Sequence, residues 1–195
     1  MFQTAPGVTV PFPEKLREEY QRFEQVLRAN VSYEHLFPLV REFCRGLEEP
    51  LFFVLQLPLD QREEEAYGDG ELHQKVMYLD GLKTTDADGI LQAYGEVLFQ
   101  DGMCQFGIAS QVSREEIFVQ QYKLTDIFAP DPEKYVSLLE RYGLTEVEEL
   151  TTAWDTFSQE SPGECRLVKV NGTDVYDVAR ALEERGMYVA KIIEG

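Results

Sequence analysis

Basic residues are scarce in this 195-residue chain, which has 18 Lys and Arg against 36 Asp and Glu and only two histidines. The resulting formal net charge is -18 at pH 7. Binding to nucleic acid phosphates or to an anionic membrane surface requires clustered Lys and Arg. The sequence therefore predicts a protein that binds neither nucleic acid nor membrane.

Cysteine is also rare, and Cys44, Cys104 and Cys165 are widely spaced. An odd number of cysteines without a C-x-x-C pair is typical of free thiols in a reducing compartment. The longest apolar run, at 51–55, is too short to cross a bilayer. The first residues have neither the basic nor the apolar part of a signal peptide. We therefore expect a soluble, cytoplasmic protein.

The common catalytic and cofactor motifs are missing. The chain has no G-x-G-x-x-G, G-x-x-x-x-G-K-[ST] or G-x-S-x-G pattern, and neither His35 nor His73 lies in a Cys/His cluster with zinc-site spacing. The segment from Thr84 to Gly89 resembles the centre of a calcium loop, but the position that requires a bidentate glutamate is Gly95. We expect no metal and no cofactor, and we assign no catalytic residue.

Negative charge is concentrated in the middle of the chain, where residues 51–150 hold 20 acidic and seven basic residues. A field of this sign speeds association with a positively charged surface. An acidic surface also keeps a protein dispersed, so solubility alone is the simplest explanation of the charge. The most acidic segment, 60–72, is expected to be a mobile loop, and its acids are the predicted interaction surface: Glu63, Glu64, Glu65, Asp69 and Glu71.

Two functional hypotheses follow from these observations. The first is a non-catalytic protein-binding module that engages a basic protein partner, as a bacterial immunity protein or antitoxin would engage a cationic nuclease toxin. The alternative is a small-ligand-binding protein or an enzyme with an aromatic-lined pocket, for which the candidate residues are His73, Trp154, Asp155 and Cys165. A helper domain in a larger assembly is a third hypothesis, and the sequence leaves the oligomeric state open.

Aromatic residues make up 12% of the chain, and its length suits one hydrophobic core. We expect a single α+β domain over 1–195, with a mixed sheet and with helices packed mainly on one face. A lone tryptophan usually buries most of its surface, so Trp154 is expected in the core.

The predicted elements fall into three segments. Residues 13–49 are expected to form a helical hairpin, because the spacing of Leu16, Tyr20, Phe23 and Leu27 fits one face of a helix. Residues 51–128 are expected to hold two strands, a helix over 85–101 and a hairpin over 103–122. Residues 131–195 are expected to add two helices and a strand–helix–strand unit, whose strands at 165–170 and 187–193 would pair in parallel.

Overall fold

A nine-stranded sheet organises the computed structural model, which describes residues 2–195. The strands are β1 Val8–Thr9, β2 Glu19–Arg22, β3 Val26–Asn30, β4 Leu51–Pro58, β5 His73–Leu82, β6 Gln105–Ser110, β7 Glu116–Val119, β8 Leu124–Phe128, β9 Thr145–Val147, β10 Glu164–Cys165 and β11 Tyr188–Glu194. The helices are α1 Tyr33–Arg45, α2 Gln61–Tyr67, α3 Thr84–Gln100, α4 Val136–Arg141 and α5 Val175–Glu183.

The strand order in the large sheet is β11-β5-β4-β6-β7-β8-β3-β2-β9. Neighbouring strands run antiparallel except β2 and β9, which are parallel, so the sheet is mixed. Strands β1 and β10 form a separate two-stranded sheet. The prediction of a single α+β domain with a mixed sheet is confirmed.

The core lies between one face of the sheet and the helices. Along β4, Phe53, Leu55 and Leu57 are fully buried, whereas Phe52 and Gln56, which point to the other face, are only half-buried. Successive side chains of a strand point to opposite faces, so this alternation marks a covered and an open face. The prediction that the helices pack mainly on one face is confirmed.

The predicted helix in the N-terminal helical hairpin is wrong, because residues 19–30 form the β2–β3 hairpin. Tyr20 and Leu27 are both fully buried, one from each strand, and the turn between the strands leaves Phe23 exposed. The spacings of four and three residues between apolar side chains therefore come from two strands joined by a short turn. Both strands point their apolar side chains toward the core. The second half of the predicted hairpin, α1, is present.

The predicted parallel pairing of the C-terminal strands is also wrong. Strand β10 pairs antiparallel with β1, and β11 pairs antiparallel with β5. Next to β10 the backbones approach closely: Arg166 N donates to Gly7 O, and Gly102 N donates to Arg166 O. A Cβ atom on Gly7 would lie 2.4 Å from Gly102 N, so only glycine allows this contact. The second of the two helices predicted in 131–195, which the sequence places after Thr145, is replaced by β9 and a short 3-10 turn over Ala153–Thr156.

Candidate functional site

The acidic segment 60–72 is largely helical, which corrects the expectation of a mobile loop. Asp60 accepts hydrogen bonds from Arg62 N and Glu63 N, both at 2.9 Å, and Glu63 Oε2 accepts from Asp60 N at 2.8 Å. This reciprocal capping box satisfies free amides at the start of α2. The other carboxylate oxygen of Glu63 lies 2.6 Å from Nζ of Lys75, a buried residue of β5.

The buried His73 side chain fastens the same segment to β5. Its Nδ1 lies 2.9 Å from Glu64 Oε2 and its Nε2 lies 3.1 Å from Asp69 Oδ2. The hydrogen bond with Glu64, together with the negative charges of Glu64 and Asp69, raises the pKa of His73 above its ordinary value. The same hydrogen bond from His73 lowers the pKa of Glu64. The His73 ring therefore joins two carboxylates across the end of α2.

The predicted interaction residues consequently divide into two groups. Glu63, Glu64 and Asp69 bind Lys75 and His73 and so hold α2 against the sheet. In the second group, Glu65 accepts only from Gln61 Nε2, at 2.9 Å, and Glu71 is exposed. The sequence predicted the negative charge of this segment. It did not predict which acids are bound and which are free, because the cationic partners come from β5.

Two of the four predicted pocket residues share a neighbour, Tyr122. The Tyr122 ring lies 4.8 Å from the Trp154 ring and 4.9 Å from the Phe157 ring, measured between centroids. Burial, together with the neighbouring Cys165 thiol, raises the pKa of Tyr122 to about 12. Trp154 is 50% exposed, so the expectation that it lies in the core is wrong.

The other two predicted pocket residues are engaged elsewhere. Asp155 Oδ2 accepts from Thr152 N at 2.7 Å and from Thr152 Oγ1 at 2.8 Å, which caps the 3-10 turn. His73 is held by Glu64 and Asp69 as described above, and its ring packs 4.1 Å from that of Tyr67. Trp154 and Cys165 thus share Tyr122 as a neighbour, whereas His73 and Asp155 have separate structural roles.

None of the three cysteines has the environment of an activated thiol. Burial raises the pKa of Cys44 and raises that of Cys104 to about 12. Cys165 is the least buried of the three, and burial raises its pKa as well. The nucleophile is the thiolate, so these shifts disfavour nucleophilic chemistry at neutral pH. Within residues 2–195, no three His, Cys, Asp or Glu side chains are grouped to hold a metal ion.

An aromatic-lined groove of about 360 Å³ lies between α1 and α3, away from the predicted pocket residues. Phe37 and Phe99 meet edge to face, with ring centroids 5.6 Å apart. Gly95 forms part of the lining, and a Cβ atom there would lie 2.7 Å from Cε2 of Phe37. The sequence did not predict this groove, and Gly95 within the predicted helix 85–101 is the signal that could have indicated it.

Comparison with protein-family models, curated proteins and solved structures finds no match to this chain. Across residues 2–195, no helix combines the length and the hydrophobicity needed to span a membrane.

Proposed function

We propose that the protein is a non-catalytic binding module for a positively charged protein, acting as an immunity protein or antitoxin acts on a cationic nuclease toxin. One observation carries the proposal: most of the 36 acidic residues have no ion-pair partner among residues 2–195. Some of these carboxylates, such as Asp60 and Asp155, cap helical turns, and the exposed remainder is free to attract a cationic surface. Electrostatic attraction of this kind raises association rates and selects partners by charge.

The proposal places the protein in the cytoplasm. Its three cysteines are unpaired, and two of them are buried. Free thiols persist in a reducing compartment, which agrees with this location. The engagement of His73 and Asp155 in structural contacts also favours binding over catalysis.

Affinity capture tests the proposal. The purified protein is immobilised, and lysate from the source cells is passed over it at low and at high ionic strength. We expect a basic protein to be retained at low ionic strength and released at high ionic strength, because salt screens charge interactions at the surface. Retention of acidic proteins only, or retention that does not depend on salt, would contradict the proposal.

Once a partner is captured, a charge variant refines the test. The double variant Glu65→Gln, Glu71→Gln removes two exposed carboxylates and keeps the contacts of Glu63 and Glu64. We expect its association at low ionic strength to be about two- to threefold slower than that of the natural protein. An unchanged association rate would exclude this part of the acidic surface from the encounter.

The groove between α1 and α3 favours a second candidate function, the binding of a small ligand. Its volume of about 360 Å³ lies within the range of ligand pockets, and its lining includes Tyr33, Phe37 and Phe99. A ligand that binds only the folded state raises the melting temperature. A metabolite screen by thermal unfolding, repeated on Gly95→Ala, tests this function, and a stabilisation that the variant loses would support it.

A further inference from the structure

Exposed apolar side chains gather at the β11 edge of the sheet. Within residues 2–195, five exposed apolar side chains lie on β11 or beside it. Each of them is at least 40% exposed: Tyr67, Leu72, Tyr188, Val189 and Ile192. Scattered single apolar residues are normal on a protein surface, whereas a contiguous group marks a site of interaction. The β11 edge therefore carries a group of exposed apolar side chains on a protein of strongly acidic composition.

Strand β11 pairs with β5 on one side and with no other strand of residues 2–195 on its outer side. Gly195 N donates to Leu72 O at 2.8 Å, and Glu194 lies opposite His73. Hydrogen-bonded and non-bonded residues alternate along an antiparallel ladder. Because the backbone of Gly195 bonds toward β5, the alternation means that the N–H and C=O groups of Glu194 and Ile192 point away from β5. The outer edge thus offers unpaired backbone groups that another strand can use.

Cavities flank β11 on both faces of the sheet. On the helix face, a groove of about 310 Å³ lies between α2 and β11, and its lining includes Tyr67, Val189 and Ile192. On the open face, a hollow of about 200 Å³ is lined by Phe52, Tyr78, Asp80, Gln111 and Tyr188. The side chains of an added strand alternate between the two faces, so they would enter both cavities in turn.

The charge around this edge determines the occupant. Glu71, Asp80 and Glu194 surround β11 and are exposed, and Lys191 is the only basic residue on the strand. A second copy of the chain is disfavoured, because each copy carries a net charge of -18. An extended segment with alternating apolar and basic side chains fits this edge, because its apolar side chains all point to one face and its basic side chains to the other.

We propose that β11 binds its partner by strand addition, in which an extended basic and apolar segment of the partner protein pairs with the outer edge of β11. This inference rests on the proposed function and adds the docking surface and the mode of recognition. Backbone hydrogen bonds to Ile192 and Glu194 provide the pairing. The apolar side chains fill the groove between α2 and β11 on the helix face, and the basic side chains enter the hollow on the open face, which Asp80 lines.

The first test uses three synthetic peptides with blocked ends. The probe is Arg-Ile-Arg-Val-Arg-Val. One comparison peptide has Glu in place of each Arg, and the other keeps the probe sequence with an N-methyl group on every residue, so that neither edge of the peptide can donate. We expect both comparison peptides to bind at least about tenfold more weakly, since one loses the charge and the other the backbone donors. Equal binding of the N-methylated peptide would overturn strand addition.

The second test uses a matched pair of variants of the whole chain. Ile192→Lys places a charge on the β11 edge, and Leu167→Lys makes the same change at a similarly exposed residue away from it, the two side chains being 40% and 43% exposed. We expect Ile192→Lys to weaken binding of the probe about tenfold and Leu167→Lys less than about twofold. Equal losses in the two variants would overturn the site.

The outcomes separate the inference from the proposed function. If a basic protein is captured in a salt-dependent manner and Ile192→Lys still captures it, the protein binds a basic partner at another surface. If no basic protein is captured by the natural chain, the proposed function fails, whatever the peptides show.

Discussion

The two edges of the large sheet differ in length, charge and exposure. Strand β9 has three residues, and the sequence immediately after it continues with Glu148 and Glu149. Its Glu146 is bound to Arg22, with Nη2 and Oε2 2.9 Å apart. Strand β11 has seven residues, and all of them are exposed except Ile193, which is half-buried. A short, charged strand prevents unwanted pairing, whereas a long apolar edge invites it.

The difference indicates that β9 is the protected edge and β11 the available one. Three features blunt β11: a bulge between Val189 and Lys191, and the charges of Lys191 and Glu194. The bulge leaves the part of the strand from Lys191 to Glu194 in regular register with β5. That part contains the outward-pointing backbone groups of Ile192 and Glu194.

The largest expected effect on stability comes from the ion pair that supports the β11 edge. Glu63→Gln leaves Lys75 buried without its carboxylate, so we expect the free energy of unfolding to fall by about 1–2 kcal/mol. Urea unfolding measures the change. Glu65→Gln is the matched control, because Glu65 lies on the same helix and has no cationic partner, and its expected effect is within about 0.5 kcal/mol. Equal effects would show that the Lys75 contact does not support α2.

A pH-dependent effect of intermediate size is expected from His73 at the same edge. Its pKa is raised in the folded protein, so its contribution to stability is complete below the ordinary value of 6.5 and is lost as pH rises through the folded value. The pKa of Glu64 is lowered, so its contribution is lost as pH falls from the ordinary value of 4.5 toward the folded one. Urea unfolding of the natural protein and of His73→Gln over this range measures both effects. A difference between the two proteins that stays constant across pH would contradict the account.

The smallest effect is expected at the protected edge. Glu146→Gln removes the charge of one of the two carboxylates that bind Arg22. The other, Glu133, is unchanged. Both carboxylates are exposed, and exposed ion pairs contribute little to stability, so the loss should be smaller than that of Glu63→Gln. Binding of the Arg-Ile-Arg-Val-Arg-Val peptide should not change. A clear loss of peptide binding in this variant would mean that β9 takes part in recognition.

Local patterns were sufficient for the centre of the fold. The apolar run of β4 and the periodic apolar face of α3 each allow one interpretation, and the structure has a strand and a helix there. The spacing of apolar residues from Leu16 to Leu27 allows two interpretations, because one face of a helix and a hairpin with a short turn give the same pattern. The contact between Gly7 and Gly102 joins distant parts of the chain, so no local pattern indicates it.

The candidate site was predicted only in part, for the same reason. The acidic residues of 60–72 are visible in the sequence. Which of them are bound depends on Lys75 and His73, which β5 brings under α2. The availability of β11 depends on strand order, which places this strand at the end of the sheet. Apolar residues at 188–193 are compatible with a central strand as well as an edge strand.

Hydrogen exchange at the two edges tests the central claim most directly. Backbone amide exchange is measured at low ionic strength, with and without the Arg-Ile-Arg-Val-Arg-Val peptide. The account predicts that the peptide protects the amides of Ile192 and Glu194 and leaves those of 145–147 unchanged. Protection at β9, or peptide binding without protection at β11, would contradict it.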